Sequence, residues 1–305
     1  MVGLGNFHPP LKCKCPSYTN GRKTFNPYYV CSHKCLGCPI RYGRRWKYFG
    51  RSADTPIGVN VEKAIKDYYK IRPFSEIEIS TQCDPFDLRF ERDYRITRTF
   101  LFGIQKRIRK DVYLTFLTKS ALISEYISLI PKDNSVIQFS IESYDKKTKI
   151  TSPMASSYDE RLETIECFVE EGYKVGVRID PLIPNFDTKD EVREIIRDCD
   201  CRGVKHITIS FIKLFHRQLE NVSKRLGYNL EPMMIEKSNG ELFVKDKVRL
   251  PLAKEIKKEC KTLGLGFAMC RENLIKDTAL CDCFDLLKDY KPVTERKKFK
   301  QLTLF

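Results

Sequence analysis

A chain of 305 residues, 42% hydrophobic and 31% charged, can bury a large core as one barrel-sized domain or two smaller ones, and it has no apolar run near the roughly 18 residues that a membrane-spanning helix requires. The balance of 55 Lys and Arg against 40 Asp and Glu leaves a net charge of +15, which favours polyanions such as nucleic acid, the bland alternative being a basic protein without such a partner. Thirteen cysteines, behind a start (Met1 to Asn6) that lacks a secretory signal, lead to the expectation of a cytoplasmic chain whose reduced thiols ligate metal rather than form disulfides.

Residues 1–25 read as an N-terminal extension rich in Pro, Gly and Lys. Short apolar runs then alternate with amphipathic patterns through residue 228, the mark of repeated β–α units. Strands are expected near Tyr28–Val30, Glu76–Thr81, Asp111–Leu117, Ser135–Ile141, Lys174–Ile179 and His206–Phe211. Helices are expected near Val61–Tyr69, Arg95–Arg109, Ala121–Leu129, Ser157–Glu171, Lys189–Asp198 and His216–Arg225. Six parallel strands make an α/β fold, a partial (β/α)6 TIM-type barrel with its chemistry at the carboxyl ends of the strands. Residues 229–290 read as a small cysteine-containing C-terminal extension, with a hairpin turning at Asn239-Gly240 and a helix near Leu252–Leu263. Residues 291–305 read as a flexible charged tail.

After the first predicted strand, Cys31, Cys35 and Cys38 stand in CxxxCxxC spacing. Three thiolates so placed hold three corners of a [4Fe–4S] cluster and leave the fourth iron for a ligand that is not protein. The alternatives are packing cysteines or part of a zinc site, although structural zinc prefers four closing ligands. A second group, Cys270, Cys281 and Cys283 with Cys13 or Cys15, is either a second iron–sulfur cluster or zinc site or a set of unligated thiols. Cys167 is expected in the core. Between Ile40 and Arg51 basic residues interleave with aromatic ones, either a surface for phosphates and unstacked bases or an ordinary element with its rings packed inward.

Beyond the cysteines, Asn26-Pro27-Tyr28, His33, Cys83-Asp84-Pro85-Phe86, Ile150-Thr151-Ser152-Pro153 with Arg161-Leu162 and Gly172, and Asp180-Pro181-Leu182-Ile183-Pro184 resemble the motifs of radical S-adenosylmethionine (SAM) proteins, in particular the spore photoproduct lyase and DNA repair photolyase-like group. The likeness spans roughly Asn26 to Cys283. It implies a cluster on Cys31, Cys35 and Cys38 that binds SAM, a 5′-deoxyadenosyl radical made by reductive cleavage, and an electron donor such as flavodoxin or ferredoxin. It also implies that Lys119 and Ser140 contact SAM. Glu142 is a candidate to bond the ribose or ammonium of SAM and Arg178 to pair with the SAM carboxylate, the rival reading for both being an ion pair inside the barrel. Asp84 either accepts from the SAM ammonium or caps the next helix. Cys83 is either a hydrogen donor to a product radical or an inert buried thiol. Where the lyase carries tyrosines beside the third cluster cysteine this chain has Gly37 and Pro39, and Thr81 replaces its hydrogen-donor cysteine, so the lyase's own reaction is not carried over.

The closing Gln301-Leu302-Thr303-Leu304-Phe305 is similar to the peptide by which bacterial repair proteins bind the sliding clamp, or else an apolar end that packs back on the barrel. The reading that follows is a radical SAM enzyme, a lyase or modifying enzyme acting on nucleic acid and on DNA by preference. Its rivals are a radical SAM enzyme for RNA, a peptide or a small molecule, and a non-catalytic iron–sulfur module that binds nucleic acid or the clamp.

Overall fold

The computed structural model describes residues 5–6, 23–28, 30–38, 60–80, 83–238 and 240–270. The strands are β1 (Gly5–Asn6), β2 (Lys23–Phe25), β3 (Ser75–Ile79), β4 (Val112–Thr118), β5 (Ser135–Ser140), β6 (Lys174–Leu182), β7 (His206–Phe211), β8 (Lys213–Phe215), β9 (Met234–Ser238), β10 (Glu241–Val244) and β11 (Gly266–Met269). The helices are α1 (Val61–Lys70), α2 (Leu88–Tyr94), α3 (Ile96–Gln105), α4 (Asp145–Thr151), α5 (Tyr158–Glu170), α6 (Lys189–Cys201), α7 (His216–Leu226) and α8 (Asp246–Thr262). One sheet runs β1-β2-β3-β4-β5-β6-β7-β11, and a separate three-stranded sheet runs β8-β10-β9. Strand β1 is antiparallel to β2, and every later neighbour in the large sheet is parallel.

Seven parallel strands curl as a partial TIM-type barrel, an α/β fold as expected, with one strand more than the six foreseen. The addition is β11, which follows α8 and pairs with β7. The first barrel strand is also corrected, to Lys23–Phe25 from Tyr28–Val30. Tyr28 and Val30 are apolar and buried because they pack with Phe90 in a small cluster of their own, and Pro27 lacks the N–H a ladder needs. Phe25 instead enters the main core and stacks on Phe100 with ring centroids 4.3 Å apart.

Parallel strands covered on both faces read as near-continuous apolar runs, and β5 and β7 are buried at every residue. Ile77, Phe116, Ile137, Phe139, Val177 and Ile209 belong to one core. The alternate residues face the other way, and the register aligns Ser140 with Arg178 and Arg178 with Thr208, so polar groups from adjacent strands meet on the interior side. Helices α5 and α6 start with capping boxes, Ser157 with Glu160 and Thr188 with Glu191, a pattern visible in the sequence. The helix expected over Arg95–Arg109 is α3, and α2 before it was not foreseen; Arg95 adopts φ +51° between the two. Ala121–Leu129 is 3₁₀ rather than α. Cys167 is exposed on α5 rather than in the core, whereas Cys199 of α6 and Cys260 of α8 are core residues.

Asp187, just past β6, ties two strand ends together: Ser143 Oγ donates to its Oδ1 at 3.0 Å and Ile183 N to its Oδ2 at 2.5 Å. Burial pushes its carboxyl from 3.8 up to about 7 despite those bonds. Between about pH 4 and pH 7 the folded chain therefore holds a proton that the unfolded chain has released. Stability then falls as pH rises through this window, by up to about 1.4 kcal/mol per pH unit, and levels off above it. Asp187→Asn should flatten that slope in urea unfolding measured at several pH values; an unchanged slope would refute the assignment.

Candidate active site

The loop after β2 carries Cys31, Cys35 and Cys38 across the barrel mouth. Leu36 anchors it, being 5% exposed and part of the main core, with its N–H donating to Thr151 O at 2.6 Å. Gly37 sits at φ +70°, and a Cβ there would lie 2.9 Å from Leu214 Cδ2, so backbone conformation and packing both call for glycine. Met154 N donates to His33 O, Cys38 N to Cys35 O, and Ser152 Oγ to Cys35 Sγ at 3.3 Å. The three cysteines line one cavity of about 350 Å³ together with His33, Cys83, Asp84, Lys119, Ser140, Arg178 and Cys270.

Burial raises the Cys31 thiol well above 9 and the Cys35 thiol to about 11, with each ionised neighbour adding to the rise and Lys119 opposing it at Cys35. Three thiolates facing one space repel one another, and a cationic metal core relieves that repulsion. The donor set, spacing and shared cavity thus fit three corners of an iron–sulfur cluster.

Opposite the loop stands a polar group from β4 and β5. Lys119 Nζ donates to Ser140 Oγ at 2.8 Å and to Glu142 Oε2 at 2.6 Å. The Arg161 guanidinium, 0% exposed, donates to Glu142 Oε2 at 3.1 Å and to Ser140 O at 2.5 Å. Thr151 Oγ1 reaches Glu142 Oε1 at 3.3 Å. Burial acts to raise the Glu142 carboxyl, but the Lys119 and Arg161 charges overcome it and hold the group well below its ordinary 4.5. Glu142 is therefore a carboxylate between two cations, only one of which reaches the cavity.

Asp84 joins three segments. Its Oδ1 accepts from Phe86 N at 2.9 Å and Thr118 Oγ1 at 2.8 Å, its Oδ2 accepts from Lys119 N at 2.6 Å, and His33 Nδ1 lies 3.6 Å away. The cap of α2 is not Asp84 but Asp87. Arg178 pairs with Asp180 at 3.0 Å, and Ser140 Oγ donates to Asp180 O at 3.1 Å. The Cys83 thiol is raised to about 12 by burial, with Ser80 Oγ 3.0 Å from its sulfur. Cys270, at the end of β11, is raised by burial and pulled back by Arg178.

Cys31, Cys35, Cys38, Cys83, Asp84, Lys119, Ser140, Arg178 and Cys270 thus share one cavity, with Glu142 behind its wall. Arg161, quoted in the sequence only as part of a motif, and Asp87, not singled out at all, both support it. Asp87 had a signal, a capping residue immediately before a helical run. Arg161 had none, since nothing local announces a buried partner 19 residues away. Cys13, Cys15, Cys281, Cys283, Pro39, Thr81, Asn239, the basic and aromatic run from Ile40 to Arg51 and the Gln301–Phe305 peptide lie outside the described residues. Among the described residues no helix is long and apolar enough to cross a membrane.

The pattern of the radical SAM superfamily matches residues 25–199. An uncharacterised protein of Methanocaldococcus jannaschii is 26% identical over 175 residues, 56% of this chain and 64% of that protein. A radical SAM Nα-GlyT isomerase of Pseudomonas phage M6 is 21% identical over 254 residues, 79% of this chain and 52% of that one. The chain thus spans less than two thirds of the length of either relative. Among solved structures, a spore photoproduct lyase variant with bound AdoMet and dinucleoside spore photoproduct superposes with a TM-score of 0.63 at 15% identity, covering 81% of this chain and 75% of that one. At that identity the likeness is one of fold.

Proposed function

Since the chain belongs to the radical SAM superfamily, we propose that it is an enzyme that cleaves SAM reductively and modifies or repairs a nucleic acid, DNA by preference. The observation that carries the chemistry is the single cavity that joins the three thiols of the Cys31–Cys38 loop to Lys119 and Ser140. In this reading Cys31, Cys35 and Cys38 hold a [4Fe–4S] cluster. With SAM bound, the cluster supplies a 5′-deoxyadenosyl radical able to take hydrogen from an unreactive C–H bond. Lys119, one face of which meets the cavity, offers an ammonium to a carboxylate, and Ser140 offers a hydroxyl beside it. Arg161 and Glu142 keep Lys119 aimed there, because a buried carboxylate fixed by a buried guanidinium leaves the lysine one low-energy direction. Asp84 fixes the Lys119 backbone from the other side. Cys83 keeps its proton at neutral pH and so offers S–H rather than thiolate to the cavity.

The choice of nucleic acid rests on the net charge of +15 and on two kinds of neighbour, one named a radical SAM Nα-GlyT isomerase, the other holding a dinucleoside spore photoproduct. Anaerobically reconstituted protein should release 5′-deoxyadenosine faster in the presence of single-stranded or duplex DNA than of RNA or a peptide mixture, and its affinity for DNA should fall steeply with salt. DNA affinity no better than that of a neutral polymer, with no stimulation of SAM cleavage, would refute the substrate assignment.

A further inference from the structure

Helix α2 touches the cysteine loop at two points one turn apart. Asp87 accepts four hydrogen bonds. Arg89 N and Phe90 N donate to Oδ1 at 3.2 Å each, as a helix N-cap requires. Ser32 adds two that the helix does not need, from Oγ to Oδ1 at 2.9 Å and from N to Oδ2 at 2.5 Å. Four residues on, Glu91 accepts from the Tyr28 and Tyr126 hydroxyls and from Thr97 N at 3.1 Å and Arg98 N at 2.8 Å. Tyr28 and Ser32 stand on either side of Cys31. Two buried carboxylates on one face of α2 therefore hold the chain before and after the first thiol, and both are 0% exposed.

Asp87 is also close enough to act by charge. One of its carboxylate oxygens, Cys31 Sγ and a ring nitrogen of His33 lie within 4.8 Å of one another. At such a distance, away from bulk water, Coulomb interactions are weakly screened. The potential of an iron–sulfur cluster follows the net charge and the hydrogen bonding around its thiolates. We propose that Asp87 is a positioning residue for Cys31, and that its negative charge holds the reduction potential of a cluster bound there at a more negative value than the loop alone would set. This rests on the radical SAM reading of the site.

The test uses the reconstituted full chain as wild type, Asp87→Asn, Ser32→Ala and Asp93→Asn. Asp93 lies on the same helix and is exposed, so its variant changes net charge without touching the loop. Iron content, the rate of iron loss to a chelator and the potential from an EPR-monitored redox titration are read for each. Asparagine caps a helix as well as aspartate, and its Oδ1 can keep the bonds from Arg89 N, Phe90 N and Ser32 Oγ, whereas its amide nitrogen cannot accept from Ser32 N. Asp87→Asn should therefore fold and take up a cluster, lose iron faster than wild type and titrate at a more positive potential. Ser32→Ala should lose iron several-fold faster at an unshifted potential, and Asp93→Asn should match wild type in both. A wild-type potential in Asp87→Asn, or an equal shift in Asp93→Asn, would overturn the charge role. A wild-type rate of iron loss in Ser32→Ala would overturn the positioning role, and this arm stands even if Asp87→Asn does not fold. A wild-type protein that takes up no iron–sulfur cluster would instead refute the radical SAM reading of the site, and this inference would fall with it.

Discussion

Replacing Cys31, Cys35 or Cys38 singly with alanine is expected to yield a folded protein that takes up little iron and releases no 5′-deoxyadenosine above background. The two halves of that expectation have separate physical causes. Iron uptake is lost because a cluster with two of its four corners lacking a protein ligand is poorly held by two thiolates, and ligand loss of this kind is not compensated by neighbouring oxygens, which are hard donors for a soft site. Folding survives because the cysteines are only partly buried on the cavity wall, whereas the loop is anchored by Leu36 in the core and by its bond to Thr151 O. Iron analysis, visible absorbance and circular dichroism on the same samples check both halves. Any of the three variants that retained a full cluster and SAM cleavage would remove that cysteine from the ligand set, and Cys83 or Cys270, which line the same cavity, would be the next thiols to test.

The largest effect on stability is expected at Glu142. Glu142→Gln keeps the shape of the side chain but leaves the Arg161 guanidinium, 0% exposed, and the mostly covered Lys119 ammonium facing each other without an anion between them. Removing one partner from a buried ion pair typically destabilises by about 3 to 5 kcal/mol, because the remaining charge is desolvated and uncompensated. The acid sensitivity of the wild type should change in parallel. The Glu142 carboxyl is held below its ordinary 4.5 in the folded state, so its contribution is fully present above that pH and declines as pH falls toward the lower folded value. The variant should be less stable at neutral pH and lose less of what remains on acidification below about pH 4. Lys119→Gln, by contrast, removes the cation that reaches the cavity while Arg161 still neutralises Glu142. It should cost less stability and more SAM affinity. Equal unfolding free energies for Glu142→Gln and wild type in urea would show that the trio is not a coupled unit.

How much of this was visible beforehand differs by residue. The CxxxCxxC spacing and the alternation of apolar runs with amphipathic ones are local patterns; the alternation was read correctly as repeated β–α units, and the spacing, with the motifs around it, pointed to the superfamily whose pattern matches residues 25–199. Tyr28–Val30 misled because burial in a satellite cluster and burial in a strand put the same residue types into the chain. Helix α2 went unforeseen because Leu88–Tyr94 is too short to show a helical period. Strand β11 was short and followed a long helix, so its apolar residues looked like part of an extension until pairing with β7 placed it in the sheet.

The amino-acid sequence by itself determined which groups this chain has for chemistry: three thiols at fixed spacing, a lysine and a serine at strand ends, and a large positive charge. Those properties depend on neighbours within a few residues, or on composition alone. Only the tertiary structure decided who faces whom. It set Arg161 beneath Glu142, Asp84 against the Lys119 backbone, and Asp87 and Glu91 on the two sides of Cys31, because contacts between residues 19 to 63 positions apart follow from strand register and helix docking rather than from any local pattern.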